Sequence, residues 1–384
     1  MIFRKKSFLV MCLTFILLLT GCTNNVEISN NKPDDNIINI GEANYTVKNI
    51  NVLPIIKEKT SNEEIFVYYA NSKYIVYGIS YLNSSNEYLL TKNLYTYDYN
   101  QGKIINKITF SQDCYVGDAI MNTNSNLYYS VVPINKISTN SAIWEIHSNL
   151  NNTDNMIAKG RSSHPDNYPQ FALLETNPIY LYENLNDNVS EYGCNSINDN
   201  HISTIFKNKS NISNKNLNTL LSCEIVSNGV IASFMNYKDR VLYHTFIDKD
   251  GIIQEYEFNN HMYHMGMINN GLIVSKIINQ NQSNQYYQIS IISPNGKEYA
   301  FKNINNCSYY RFTSSGKNES MAVDDYFNLY LFQYKDNSLI RSKLSIDSSV
   351  DGKGTTPFFV GGESYLICNF ASNNDLQLHI ITIK

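Results

Sequence analysis

The run His261-Met262-Tyr263-His264-Met265-Gly266-Met267 concentrates imidazoles and thioethers, ligands that suit a soft ion such as Cu(I). The spacing works against a shared metal. His261 and His264 are three apart, so on an extended strand they point to opposite faces, and only a bend or bulge at Gly266 brings them together. Packing or lining of a channel is the competing use. A second cluster, Arg161-Ser162-Ser163-His164-Pro165-Asp166-Asn167-Tyr168, gathers serine, histidine and aspartate in one short segment. A catalytic relay is assembled by the fold rather than by adjacency, and no G-x-S-x-G elbow accompanies these residues. They suit polar ligand contact better, with Arg161 available for carboxylate or phosphate and His164 and Tyr168 beside it. In a third place Arg311 follows Tyr309 and Tyr310, where it fits an anion or an ion pair with Asp118. Asn184–Asn188 offers oxygen ligands for Ca²⁺ without EF-hand spacing. A Walker loop, a dinucleotide fingerprint and an H-E-x-x-H helix are all absent, so no cofactor, no metal site and no catalytic residue is assigned.

Different chemistry is written near the N-terminus. Leu19-Thr20-Gly21-Cys22 closes an apolar run that begins at Phe8 and follows Arg4, Lys5 and Lys6. The run is short for a bilayer span and the right length for a secretory h-region. A small residue before a cysteine at its end resembles the bacterial lipobox. That resemblance implies removal of residues 1–21 and diacylation of Cys22 through its sulfur, with palmitate-type chains. The mature protein is then expected on the outer face of the cell membrane, since two acyl chains anchor stably where one is marginal.

Removing three basic residues leaves 27 Lys+Arg against 34 Asp+Glu, a formal charge of −7 in place of −4. Nucleic acid and polybasic membrane contact both need clustered positive charge, so neither is expected. Thirty tyrosines beside abundant Ile, Val and Asn make an all-β composition, because aromatic and β-branched residues fit pleated surfaces and Asn fits turns. Cys114, Cys194, Cys223, Cys307 and Cys368 would remain, an odd set without C-x-x-C spacing. They read as buried small hydrophobes, with one or two disulfides as the alternative. Residues 22–36 are polar and aperiodic and read as a flexible tether, with a single domain over 37–384.

Within that domain an apolar strand recurs, beginning at Tyr74, Leu127, Ile179, Val230, Leu272, Met321 and Tyr365, at separations of 42 to 53 residues. A shorter strand candidate precedes each: Ile65–Tyr69, Tyr115–Ile120, Gln170–Leu174, Leu217–Ile225, His261–Ile268, Ser308–Phe312 and Pro357–Val360. A third strand and a turn follow most of them, as at Asp98–Gly102, where glycine tolerates the positive φ of a tight turn. Four strands at this period are one blade of a β-propeller. Tyr95, Tyr97 and Tyr99 alternate along one strand, as rings packing between blades would. The last unit has too few strands, and the spare strands Ile37–Ile40 and Tyr45–Leu53 are expected to complete it, because an unpaired blade edge leaves backbone groups exposed. Seven blades result, with six or eight as alternatives.

The segment LYTYDYNQGKI, residues 94–104, resembles blades of the TolB-like and quinoprotein-like propellers, and the propeller resemblance covers roughly 37–384. Trp144 is alone in the chain, so the tryptophan-docking, Trp-Asp and Asp-box repeats of other propeller groups are absent. The resemblance implies a central channel lined by the first strand of each blade. It also implies a ligand face made by the loops that enter those strands and the loops joining second and third strands. The function expected is a membrane-anchored binding or scaffold module for a protein, peptide or glycan, with no hydrolase domain after the seventh unit. The alternative is a glycan- or polysaccharide-acting lyase or hydrolase with its site at the channel mouth.

Overall fold

The computed structural model of the chain describes residues 35–384 apart from 83–88, 139–140, 151–152, 175, 187–188, 209–216, 227–228, 237–240, 249–252, 259–261, 269–270, 280–281, 293–296, 303–309, 315–317, 325, 327, 337, 345–356 and 371–375. Among the described residues there are seven sheets, each built on four antiparallel strands. Their first strands are Glu63–Ala70, Cys114–Met121, Gln170–Leu174, Leu217–Val226, Met262–Ile268, Tyr310–Ser314 and Phe358–Gly361. Each lies beside the next, and the seventh returns to the first, so the sheets form a closed ring. The protein is a seven-bladed β-propeller.

Alternation within strands produces the ring. Successive side chains point to opposite faces, and a blade between two neighbours must bury both. The second strand of blade 1, YIVYGISYL over Tyr74–Leu82, is therefore apolar almost throughout and buried from Tyr74 to Ser80. Its odd members Ile75, Tyr77 and Ile79 pack towards blade 7, and its even members Tyr74 and Val76 towards blade 2. Tyr95 and Tyr97 are fully buried in the contact with blade 7, and Tyr99 packs against it. The Tyr95 ring stacks on Tyr77 at 4.9 Å. At the turn that follows, Asp98 Oδ1 accepts the N–H groups of Asn100 (3.0 Å) and Gln101 (2.9 Å), and Gly102 takes a φ of +66°. Cys114, Cys194 and Cys368 are buried, and burial pushes the thiols of Cys114 and Cys194 up to about 12.

Closure uses more of the N-terminus than the missing strand requires. Strand β1 (Asp35–Asn36) pairs in parallel with the outer strand Glu298–Lys302 of blade 5, and β2 (Ile38–Glu42) in parallel with the outer strand Ser338–Leu344 of blade 6. Strand β3 (Tyr45–Ile50) then supplies the fourth strand of blade 7, antiparallel to Leu376–Ile383. Between these pairings the arm inserts apolar pegs. Ile37 enters the contact of blades 5 and 6, Ala43 and Tyr45 pack against that of blades 6 and 7, and Ile50 enters that of blades 7 and 1. A single helical turn, α1 (Leu53–Ile56), adds the buried Ile55 to the last of these. The hydroxyls of Tyr97 and Tyr95 hold the end of the arm, donating to Asn51 O at 2.6 Å and Glu58 Oε2 at 3.1 Å.

One pair on this seam carries a pH dependence. Asn49 and His379 are direct partners across β3, and His379 Nδ1 lies 2.8 Å from Asn49 Oδ1. Nε2 is buried with no hydrogen-bond partner among the described residues, and burial pulls the imidazole pKa below its ordinary value. The unfolded chain thus takes up a proton near about pH 6.5 that the folded chain refuses, so stability falls as pH drops through that value towards the folded pKa. Thermal melting from about pH 7 to about pH 5 is expected to show a shallower decline for His379→Gln than for the wild type. Parallel curves would remove His379 as a contributor.

Candidate functional site

The connection between blades 2 and 3 carries the best-defined polar site. The fourth strand of blade 2, Thr153–Ser162, rises to the segment 163–169, which leads into the first strand of blade 3. Beside it rises the second strand of blade 3, Asn177–Asn186. Both therefore reach the face that carries the loops entering first strands and the loops joining second to third strands.

A buried carboxylate holds the segment. Glu183 is 1% exposed, and its Oε2 accepts from Ser163 N (3.1 Å), Ser163 Oγ (3.0 Å) and Asn167 Nδ2 (2.7 Å). Its backbone carbonyl accepts the indole N–H of Trp144 at 2.8 Å. From blade 2, the Tyr115 hydroxyl donates to Pro165 O, and Ser130 Oγ donates to Pro169 O at 2.9 Å. Asp118 Oδ2 accepts the N–H of Phe171 at 2.7 Å, which ties the first strands of blades 2 and 3 together. Tyr168 is half-buried on the backbone of Gly117, where a Cβ would collide with its ring, and it meets Tyr115 edge-on at 6.2 Å. The segment is thus a clamped strap.

The serine hydroxyls are committed elsewhere than the imidazole. Ser162 Oγ donates to His164 O at 2.8 Å, and Ser163 Oγ to Glu183. His164 is exposed, and its Nδ1 accepts the N–H of Asp166 at 3.2 Å. The residues are adjacent, but the arrangement has the bonding of a folded loop and no Ser-His-Asp relay.

Between the ends of strands Thr153–Ser162 and Asn177–Asn186, just before the strap, lies a cavity of about 370 Å³ lined by Ile143, Lys159, Gly160, Arg161, Asn184, Leu185 and Asn186. Lys159 and Arg161 are both exposed and, being two apart on one strand, share a face. The N–H of Arg161 donates to Asn184 Oδ1 at 3.1 Å, so Asn184 is here a bridge between blades. Of the residues expected at a ligand site, Arg161 lines this cavity, while His164 and Tyr168 belong to the strap and do not line it, Tyr168 packing on Gly117 and Tyr115. The alternation that puts Lys159 on the same face as Arg161 is legible in the sequence. The role of Glu183 is not, because its partners come from across a blade boundary.

The other candidates lie on blades 5 and 6. His261 and Tyr309 fall outside the described residues. His264 pairs through its backbone with Val274, and the register shifts between His264 and Gly266, so a bulge does occur at the glycine. A Cβ there would collide with Phe312, so Gly266 lets the first strands of blades 5 and 6 approach closely. Arg311 sits opposite Val323 in the first pair of blade 6.

No family model matches the chain, and no curated protein matches it. Solved structures do. The chain is similar to the β-propeller domain of the Trilobed protease from Pyrococcus furiosus, with 8% identity and a TM-score of 0.54 over 84% of this chain and 94% of that one. It also has a weaker likeness to the N-terminal domain of Nup159, at 10% identity and a TM-score of 0.45, covering 91% and 99% of the two chains. A third is the β-propeller domain of Cps50 (Swd1) from Myceliophteria thermophila, at 9% identity and a TM-score of 0.42 over 84% and 100%. At such identities the likeness carries the fold alone.

The clamp makes a test of the strap. Glu183→Ala leaves the Ser163 and Asn167 donors facing a cavity, and each stranded buried donor costs about 1–3 kcal/mol. A loss of about 3 kcal/mol is expected for Glu183→Ala, with less for Glu183→Gln, which keeps one oxygen. Hydrogen exchange at Ser163 should quicken in Glu183→Ala. Exchange unchanged there would show that Tyr115 and Ser130 suffice to hold the strap.

Proposed function

We propose that this protein is a lipid-anchored propeller that binds a ligand outside the cytoplasmic membrane and does no chemistry on it, with its site at the cavity between blades 2 and 3. The observation that carries the reading is the cavity lined by Lys159, Arg161, Asn184 and Asn186, on strands whose ends are fixed by the clamped strap before any ligand arrives. Fixed polar groups lower the ordering cost of binding. The anchor rests on Leu19-Thr20-Gly21-Cys22 and its apolar approach. From Cys22 to the start of β1 the chain can stretch about 45 Å. Because β1 pairs on blade 5, the tether joins the ring there. Blades 2 and 3 are then carried on the side of the ring away from the anchor.

The test is acyl labelling of wild type beside Cys22→Ala, together with recovery of partners from the cell envelope. Labelling and membrane retention lost in Cys22→Ala, with an envelope component that co-purifies with the wild type alone, agree with the reading. Equal labelling of both forms, or turnover of envelope polysaccharide by the purified chain, contradicts it.

A further inference from the structure

We propose that the cavity between blades 2 and 3 receives an extended acidic peptide, which adds as a strand to the outer edge of blade 2 and sets its carboxylates on Lys159 and Arg161. This deepens the binding reading above and rests on it for the choice of face.

The edge itself comes first. Thr153–Ser162 is the outermost strand of its sheet and pairs with Ser141–Leu150 alone among the described residues. Arg161 sends its N–H away from that partner, to Asn184 Oδ1. In an antiparallel pair the direction of N–H and C=O alternates, so Lys159, two residues earlier, aims both of its backbone groups outwards as well. Among the described residues no backbone partner meets them. An edge without backbone partners is a template for another strand, which at Arg161 would take the N–H over from the Asn184 amide.

The same ring already accepts such strands. Both β1 and β2 lie in parallel along the outer edges of blades 5 and 6, each an extra strand beyond the four that make a blade. Outer-edge addition is therefore compatible with the twist and spacing of these sheets. Blade 2 offers a longer edge than either, ten residues, with no arm upon it.

Charge selects the occupant. Lys159 and Arg161 are exposed and have no ion-pair partner among the described residues, whereas Lys92, Lys107, Lys136, Lys207 and Lys276 each have one. Two cations on one face make a local positive site on a chain of net charge −4. In an added strand, side chains two apart share a face, so glutamates at alternate positions meet the two cations in register. Ile143, Leu185 and Asn186 complete the lining, a mixture of apolar and polar residues that suits a short aliphatic stem ending in a carboxylate. Backbone bonds along the edge would supply affinity and the alternating carboxylates specificity.

The experiment is fluorescence anisotropy with the purified full chain and a labelled heptapeptide, Ser-Glu-Val-Glu-Val-Glu-Ser. Its glutamine counterpart and a version N-methylated at alternate residues serve as controls. The glutamate peptide is expected to bind, to weaken with added salt, and to lose about tenfold or more in affinity to Lys159→Glu/Arg161→Glu. Lys103→Glu, on the outer strand of blade 1, should leave it unchanged. N-methylation should abolish binding, because it removes the edge hydrogen bonds. Trp144 emission and melting establish that each variant is folded. No binding, equal binding of the glutamine peptide, or full affinity in the double variant overturns the proposal. Equal competition by inorganic phosphate or by an acidic oligosaccharide overturns it too, in favour of a small-anion or glycan site. A peptide failure that leaves an envelope partner on the wild type would sink this inference and spare the binding reading.

Discussion

Deletion of residues 35–52 is expected to leave a chain that does not unfold as one cooperative unit. The deletion removes β3 and with it the fourth strand of blade 7, so the carbonyl and N–H groups of Leu376–Ile383 lose the partner they have from Ile50 to Tyr45. It also withdraws Ile37 and Ile50 from two blade contacts in which both are buried. Truncating one buried isoleucine to alanine costs about 2–5 kcal/mol, and a domain is stable by only about 5–15 kcal/mol. Two lost pegs, one lost strand and a newly exposed edge together match or exceed that whole margin. A ring has a further weakness: a blade that cannot close on one side also loses packing on the other. Circular dichroism melting of the deletion beside Ile37→Ala tests this. The single substitution should lower the melting temperature by several degrees and keep one transition, and the deletion should lose the transition. A truncated chain that melts cooperatively within a few degrees of the wild type would show that blade 7 stands on three strands.

The ring was legible in the sequence because its signal repeats. The strands expected to begin at Tyr74, Leu127 and Ile179 begin at Tyr74, Leu127 and Asn177, and the candidate Gln170–Leu174 has those limits in the structure. Completion of the last unit from Tyr45 onwards was also readable, since an unfinished sheet needs a strand and the N-terminal segment had one to spare. The parallel additions of β1 and β2 were not. Ile38 and Ile40 look like strand residues, yet they are largely exposed, at 46% and 57%, and no local pattern says which blade edge they join. The candidate site divides in the same way. Arg161 was legible as an exposed cation near a turn, and Lys159 follows from alternation. Tyr168 was legible as an aromatic residue in a polar loop, but its place on Gly117 depends on a neighbouring blade. Glu183 reads as a charged residue in a strand. Only the fold brings Ser163 and Asn167 to it.

The second large effect is expected at Gly160. It lies directly across from Trp144 in the outer pair of blade 2, and a Cβ at 160 would run into the indole ring. The ring has little room to yield. Its N–H is bonded to Glu183 O at 2.8 Å, and Tyr182 packs on it at 5.8 Å from the other blade. Gly160→Val must therefore displace the indole, break its bond to blade 3, or bend the outer strand. Overpacking alone costs about 1–3 kcal/mol, and stranding the buried indole N–H and the Glu183 carbonyl adds about 1–3 more. A loss of about 3–5 kcal/mol is the expected sum, well above the cost at Gly102, where φ is +66° and the nearest atom to a Cβ is 3.9 Å away. Because the chain has one tryptophan, its emission reports this blade contact and no other. Gly160→Val should shift that emission to the red as water reaches the ring, and Gly102→Ala should leave it in place. An unshifted maximum with an unchanged melting temperature would mean that the indole can move aside freely. In that case the strap would owe its position to Glu183, Tyr115 and Ser130, and not to the indole.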